Sequence, residues 1–359
     1  MTDTPSKSLY LGSDGKLAIH DVSETYIPEG SQCLVRVLYS GVNPCDINFA
    51  HVGLHSFVTG FEFSGTVEQP GPLSQFKAGD NVCGLAPIKL PKPSSTGSHQ
   101  DLCIAESELL YTLPHGLDAK DAGGLVMATH TAIDGLSNGL GFGLQAAGVA
   151  GLDPRSRAIL IWGGASSVGV AAIQLAKTAG FGPIFVTASP KNHAILQRLG
   201  ADRCFDYKSP TILEDIRAAV NDKGVILTTA FDTIGKNSLA QGEAVWQSTP
   251  GLARSALSDG ANPSEYRLVS TAPVPAIPEF KMCAAYRPRG NKNAFGGPQD
   301  PEAPVRLRQI ADYFLDSAGA RLKIPVIKVV KGASEGLSEI ERVSRGDASL
   351  EKVVIEHPM

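Results

Sequence analysis

The stretch from Arg157 to Gly169 restricts the fold more than any other part of the chain. A short apolar run, RAILIW, ends in Gly163-Gly164, and Ala165-Ser166-Ser167-Val168-Gly169 leads at once into VGVAAIQLAKT, an amphipathic helix stopped by Gly180. A buried strand turning on small residues into a helix is the opening of a strand–helix–strand unit. The same alternation continues downstream. Pro183–Ala188 reads as a strand, His193–Leu199 as a helix, Arg203–Tyr207 as a short strand, Thr211–Val220 as a helix and Val225–Thr233 as a strand. Strands alternating with helices predict an α/β domain built on a doubly wound parallel sheet.

Upstream the character differs. Gln32–Ser40 (QCLVRVLYS) alternates apolar and polar residues, as a half-buried strand does, and dense Gly and Pro punctuation from Gly41 to Gly97 predicts short strands joined by turns. Pro87–Ser98 (PIKLPKPSSTGS) reads as an exposed loop, and Ala119–Leu136 carries helical spacing. Gly139–Gly151 is rich in Gly and Ala without strong periodicity. Near the end, Val305–Ser317 and Gly336–Arg345 read as helices, Pro325–Val330 and Leu350–Glu356 as strands, and Asn291–Pro301 as a mobile loop. No internal repeat is evident. With 359 residues there is length for two cores, a β-rich one and an α/β one.

Composition narrows the function classes. The net charge is −4 and no Lys/Arg-rich run occurs, so nucleic acid is not an expected partner. Nowhere do about 18 consecutive apolar residues occur, which argues against a membrane span. The opening MTDTPSKSLYLGSDGK lacks the apolar core of a signal peptide. Six scattered cysteines without a CxxC pair argue against a disulfide framework and a zinc ribbon, so a reducing, cytoplasmic setting is the expectation.

The Gly163–Gly169 turn carries the strongest chemistry. Small residues at Gly163, Gly164, Ser166, Ser167 and Val168 let the backbone approach a pyrophosphate, and the free N–H groups of the helix's first turn favour its charge. The alternative is a tight turn of the same fold with no nucleotide. Which dinucleotide is preferred follows from the end of the next strand, Thr187-Ala188-Ser189-Pro190-Lys191-Asn192, which holds no carboxylate to accept from a ribose 2′-hydroxyl. A hydroxyl and an ammonium there favour a 2′-phosphate, hence NADPH. The competing reading is that Ser189-Pro190 caps the following helix and Lys191 is a solvated surface charge.

On these residues the chain resembles the medium-chain dehydrogenase/reductase superfamily, in particular its quinone-reductase-like branch and the trans-acting enoyl reductases that serve fungal polyketide synthases. The likeness covers nearly the whole chain. It includes the GxNPxD turn (Gly41, Asn43, Pro44, Asp46), the segment Gly60-Phe61-Glu62-Phe63-Ser64-Gly65-Thr66-Val67 and the turn Gly79-Asp80-Asn81-Val82. Ser189-Pro190-Lys191-Asn192, Leu199–Asp202, Phe205-Asp206-Tyr207 and Asp232-Thr233-Ile234-Gly235 follow in the family's order. The resemblance implies a GroES-like β-rich substrate domain from residues 1–130 with 300–359 and a Rossmann domain over 131–299, with the active site in the cleft. It also implies that Asn43, Pro44, Ser189, Lys191, Asn192, Tyr207, Asp232, Thr233 and Ile234 contact the cofactor. Thr131 would stand at a small-residue helix start facing the nicotinamide.

Zinc is where the chain departs from the alcohol dehydrogenases. By resemblance, Asn43 and Phe61 stand where those enzymes place a ligating cysteine and histidine, and the four-cysteine lobe is missing, so no metal is expected. What remains is hydride transfer to the β-carbon of an enone or enoyl thioester, with a proton added at the α-carbon. The substrate would be a small molecule or carrier-bound, with a polyketide synthase as partner. The relatives' lysine is replaced by Asn48, which can donate a hydrogen bond but not a proton near neutral pH. Thr131, Asn48 and His51 are the catalytic candidates, with His55 and His130 nearby in sequence and water as the expected proton donor. A non-redox NADPH-binding protein, or a cyclase or isomerase on the same fold, is the alternative.

Overall fold

The computed structural model describes residues 6–88, 91–260, 262–316 and 320–359. Met1–Pro5 of the opening segment, Lys89 and Leu90 of the Pro-rich stretch and Ser317 at the end of an expected helix lie outside the described residues. The chain forms two compact units, Met1–Met127 with Leu315–Met359, and Ala128–Phe314. The sequence reading drew these limits at 130 and 300. Helix Ala303–Phe314 belongs to the second unit because Asn138 Nδ2 donates to Ala303 O (3.1 Å) and Gln309 Nε2 to Ala147 O (2.9 Å).

In the first unit a seven-stranded sheet runs in the order Ile327–Lys331, Lys352–Glu356, Gln32–Gly41, Glu62–Pro70, Asn81–Leu85, Leu110–Thr112, with Leu102–Glu106 also paired to Gln32–Gly41. The expected alternation is clean over Val35–Leu38. Register shifts after Leu34 and Val37 interrupt it on either side. Val35, Val37, Phe63, Val82 and Leu110 fill one core. The C-terminal segment returns to complete another, where Val353 and Ile355 pack with Leu9, Val42 and Ile340.

The second unit carries a parallel sheet in the order Arg203–Phe205, Ile184–Thr187, Ile159–Trp162, Thr229–Asp232, Arg267–Ser270, Phe280–Met282. Every residue of Ile159–Trp162, Ile184–Thr187 and Thr229–Asp232 is buried, as a sheet covered on both faces requires. The strand order reverses between Ile159–Trp162 and Thr229–Asp232. That switch point is where doubly wound sheets open a crevice at their carboxyl ends. The fold class is therefore the expected one, a GroES-like unit and a Rossmann unit.

Three local expectations are corrected. The helix expected over Ala119–Leu136 is two helices, Ala119–Ala122 and Val126–Ile133, followed by a π turn, Asp134–Gly139. Gly123 and Gly124 break it because they are needed as spacers. A Cβ on Gly123 would meet Tyr39 Cβ at 2.8 Å, and one on Gly124 would meet Lys352 Cγ at 2.7 Å. The strand expected over Val225–Thr233 is only Thr229–Asp232, since Val225 N donates to Val220 O (3.3 Å) and Leu227 N to Ser258 Oγ (2.9 Å) instead of to a neighbouring strand. The stretch Pro87–Ser98 is not an exposed loop. Lys92, Thr96, Gly97 and Ser98 are buried, and a Cβ on Gly97 would lie 2.1 Å from Val58 O.

Candidate functional site

In the Rossmann unit the site is built around the turn after Ile159–Trp162. Gly163 has φ +91°, a left-handed conformation, and a Cβ there would lie 2.3 Å from Ile234 Cγ1. Its N–H donates to Thr187 Oγ1 (3.0 Å), while Gly164 N donates to Thr187 O (2.9 Å). Ser166 caps the helix Ser167–Ala179, its hydroxyl accepting from Gly169 N at 2.9 Å. The same hydroxyl meets Thr233 Oγ1 at 2.9 Å, and Thr233 Oγ1 lies 2.9 Å from the carbonyls of both Trp162 and Gly163. One hydroxyl pair thus locks the turn to the end of the Thr229–Asp232 strand. The helix N-terminus is left facing the switch point, a fit for a dinucleotide pyrophosphate.

The turn Asp232–Gly235 is fixed from inside. Asp232 is fully buried, and its carboxylate accepts from Ile234 N (3.2 Å), Gly235 N (3.1 Å), Ser270 Oγ (2.9 Å) and Thr249 Oγ1 (3.2 Å). Burial pushes its pKa up to about 6 despite these four donors. With the Asp232 carboxylate and Thr233 hydroxyl both used within the turn, Ile234 is the exposed side chain of the three. Ser189 ends the second strand half-buried, Lys191 is exposed and Asn192 is buried. Thr187 pairs with Phe205 in parallel register, so Tyr207, exposed, follows the adjoining strand end. The nearby Asp206 carboxylate accepts from Lys208 N (3.0 Å), which turns it into its own loop.

Thr131 is not at a helix start. The break at Gly123-Gly124 moves the start to Val126, and Thr131 lies buried in the later part of Val126–Ile133. His130 is buried beside it. Burial lowers its pKa to about 4, against a bond between Nδ1 and Ala285 O at 3.0 Å, so the ring is neutral.

The first unit holds a separate buried polar cluster around the GxNPxD turn. Lys352 Nζ lies 2.6 Å from Glu62 Oε1 and donates to Asn43 Oδ1 (2.7 Å) and Val42 O (2.9 Å). Asn43 Nδ2 donates to Glu62 Oε1 (2.9 Å), and Glu62 Oε2 accepts from Met127 N (2.9 Å) in the first turn of Val126–Ile133. Asp46 accepts from Asn43 N (2.7 Å) and Gly60 N (3.0 Å), closing the turn on itself. Pro44 is exposed, Asn48 half-buried, and His51 exposed on the short helix Phe49–Val52. His55 is also exposed, its Nδ1 2.9 Å from Ser56 Oγ. Lys92 and Thr96 lie in this unit too. Sequence reasoning missed both, since a lysine in a Pro-rich run looks like solvated surface.

The donors at the two ligand-equivalent positions do not fit zinc. The Asn43 amide is engaged by Lys352 and Glu62, and Phe61 stacks edge-on with Phe49 (5.3 Å) and Phe57 (6.3 Å) and has no lone pair. Among the described residues no group of three His, Cys, Asp or Glu side chains could hold a metal. Among them, too, no helix is long and apolar enough to cross a membrane.

Comparison with known proteins agrees with this architecture. Residues 29–138 match the family described as alcohol dehydrogenase GroES-like domain, and residues 167–247 the family described as zinc-binding dehydrogenase. A trans-enoyl reductase of Pyricularia grisea is 35% identical over 224 residues, 60% of this chain and 58% of the relative. The chain thus spans less than two thirds of that protein's length. A trans-enoyl reductase of Aspergillus terreus is 32% identical over 56% of this chain and 69% of its own length. The crystal structure of the CurK enoyl reductase superposes with a TM-score of 0.68 at 21% identity, covering 98% of both chains, which shows the fold. A β-rich GroES-like unit, a Rossmann unit whose glycine turn is capped by Ser166, and relatives matched across both units place this chain in the medium-chain dehydrogenase/reductase superfamily.

Proposed function

We propose that this chain is an NADPH-dependent, zinc-free enoyl reductase that saturates the double bond of an enone or enoyl thioester in polyketide-type secondary metabolism. The observation that carries the reading is the dinucleotide turn, where Ser166 caps the helix and is locked by Thr233. The relatives named trans-enoyl reductase supply the reaction class, and the missing carboxylate beside Ser189 and Lys191 supports NADPH. Gly163, Gly164, Ser167 and Val168 would hold the pyrophosphate through backbone N–H groups, with Ser189, Lys191, Asn192 and Tyr207 around the 2′-phosphate. When bound, the nicotinamide supplies hydride. Asn43 and Pro44 act through the shape of their turn, since the Asn43 amide is engaged by Lys352 and Glu62. Asn48, His51 and Thr131 are the substrate-facing candidates. The substrate is a small or carrier-bound enoyl compound, with a polyketide synthase as the partner that delivers it.

The test is consumption of NADPH by the purified protein with a panel of α,β-unsaturated thioesters on coenzyme A and on short pantetheine mimics, with product masses followed. A gain of two hydrogens in the product is expected. No NADPH oxidation across the panel, with substrates returned cyclised or isomerised, would move the chain to the non-redox reading.

A further inference from the structure

The first unit buries a run of polar side chains, Asp101, His357, Ser40, His99 and Asp46, set end to end. His357 Nδ1 lies 3.2 Å from Asp101 Oδ1, and its Nε2 lies 2.9 Å from Ser40 Oγ. On the other side of that hydroxyl stands His99 Nδ1, at 2.8 Å, and His99 Nε2 faces Asp46 Oδ2 at 3.4 Å. Ser40, His99 and Asp46 are fully buried, and the His357 side chain is nearly so. The strand Gln32–Gly41, the turn at Asp46, residues 99–101 and residue 357 all belong to this one unit.

The hydrogens available limit what the run can do. A neutral imidazole carries one N–H and a hydroxyl one O–H, so with both rings neutral there are three hydrogens for four contacts. Burial lowers the His357 pKa, against the pull of Asp101. Burial also works against the Asp101 carboxylate, yet bonds from His357, Ser6 Oγ and Met359 N hold its pKa below the usual value. A neutral His357 ring therefore donates from Nδ1 to an ionised Asp101 and keeps Nε2 as an acceptor. Ser40 donates to that nitrogen, and so must accept from His99 Nδ1. The contact left without a hydrogen is the one between His99 Nε2 and Asp46. It is the longest of the four, and Nε2 has no hydrogen-bond partner among the described residues. A lone pair turned towards a buried carboxylate is repelled by it, whereas a proton between the two would make a charge-assisted bond.

We propose that the His99–Asp46 contact is an acid-operated latch in the first unit, in which one proton from solvent forms an N–H bond at His99 Nε2 and Asp46 Oδ2 accepts it. Asp46 Oδ2 already accepts from Asn43 N (2.7 Å) and Oδ1 from Gly60 N (3.0 Å). Acid thus ties the carboxylate that closes the GxNPxD turn to His99 as well, and base releases it. Ser40 sets the direction, because its single hydrogen goes to His357 and the His99 hydrogen is kept on Nδ1. Nothing is oxidised or reduced, and the latch does not depend on the reaction proposed above.

Other titratable groups border the run. Cys45, whose thiol is pushed up by burial, lies near Asp46, and so does Lys92, which burial lowers to about 7. Arg36 lies on the Asp101 side and is paired with Glu68. Glu62 is paired with Lys352 and Glu356 with Lys331, while Tyr26, bonded to Gln100, is pushed up to about 12 by burial. Lys92 gains charge near neutral pH, so the test must read the His99 ring itself.

Nitrogen NMR of the full chain with isotope-labelled histidine rings, assigned through the backbone, does this. At about pH 8 the His99 and His357 rings are expected to carry their hydrogen on Nδ1. Acidification is expected to protonate His99 Nε2 with Nδ1 unchanged. It should also slow amide exchange at Asn43 and Gly60 by about tenfold beyond the intrinsic effect of acid. A His99 ring with its hydrogen already on Nε2 at about pH 8 would overturn the proposal, as would an Nε2 that stays bare until the protein unfolds in acid. Exchange rates that follow the intrinsic effect alone would overturn it too. Ser40→Ala tests the direction. With Nδ1 deprived of its acceptor, His99 is expected to move its hydrogen to Nε2 at about pH 8, and a ring unchanged from wild type would overturn the role of Ser40. Should that variant fail to fold, the wild-type spectra alone decide the latch.

Discussion

At the scale of single residues, environment decides what each titratable or polar group can do. Ser189 and Lys191 follow a strand end with no carboxylate, and the Asp206 side chain is occupied by Lys208 N. NADPH should therefore bind at least about tenfold more tightly than NADH, which is about 1.4 kcal/mol. Titration followed by tryptophan fluorescence or calorimetry measures this, and equal affinities would show that the 2′-phosphate is not recognised there. His130 gives a pH signature. Its folded pKa of about 4 lies below the ordinary histidine value of 6.5, so the unfolded chain binds the proton first as the solution is acidified. The contribution of the neutral ring is complete above about pH 6.5 and falls away towards pH 4, by up to about 3 kcal/mol in all. Asp232, raised to about 6, works in the opposite sense over an overlapping range, so wild type alone would hide the effect. His130→Asn keeps a donor for Ala285 O but cannot titrate. The stability advantage of wild type over this variant should shrink by up to about 3 kcal/mol between pH 7 and pH 4, read by urea unfolding at each pH. An advantage independent of pH would mean that the ring is not held neutral.

At the scale of elements, what could be read from the sequence depended on how local its cause was. The helix Ser167–Ala179 and its end at Gly180, where φ is +97°, follow from neighbours a few residues apart, and the sequence placed both to within a residue or two. The break in Ala119–Leu136 was not legible, because its cause is the approach of Tyr39 and Lys352 to two glycines. Periodicity carries no trace of a partner so distant along the chain. The glycine turn can be tested at Gly169. A Cβ there would lie 2.4 Å from Gly163 O and 2.7 Å from Gly164 Cα, both backbone atoms that cannot swing aside. Gly169→Ala should cost about 1–3 kcal/mol in unfolding free energy by overpacking. It should also weaken NADPH binding, since relief requires the turn itself to move. Unfolding and cofactor titration on the same preparation check the two effects, and a stable variant with unchanged affinity would contradict the packing argument.

At the scale of the whole molecule, the first unit depends on a residue near the end of the chain. Lys352, 3% exposed, neutralises Glu62 and fixes Asn43, two residues from the opposite end of the same unit. Lys352→Met leaves the Glu62 carboxylate buried with Asn43 Nδ2 and Met127 N as its partners among the described residues, and should cost about 3–5 kcal/mol. Adding Glu62→Gln should recover part of that loss in denaturant unfolding, and a double variant no better than the single one would show that the pair is not the cause. The amino-acid sequence by itself determined the alternation of strand and helix, the turn of small residues at Gly163–Gly169 and the absence of a carboxylate after the second Rossmann strand. All of these depend on residue type at short spacing. Only the tertiary structure decided that the Asp232 carboxylate is closed off within its own turn, that Thr131 lies inside a helix, that Lys352 meets Glu62, and that Lys92 is buried against Phe57, Phe61 and Thr96. Those facts depend on which distant side chains exclude water from a group or offer it a partner, and burial and pairing of that kind leave no pattern along the chain.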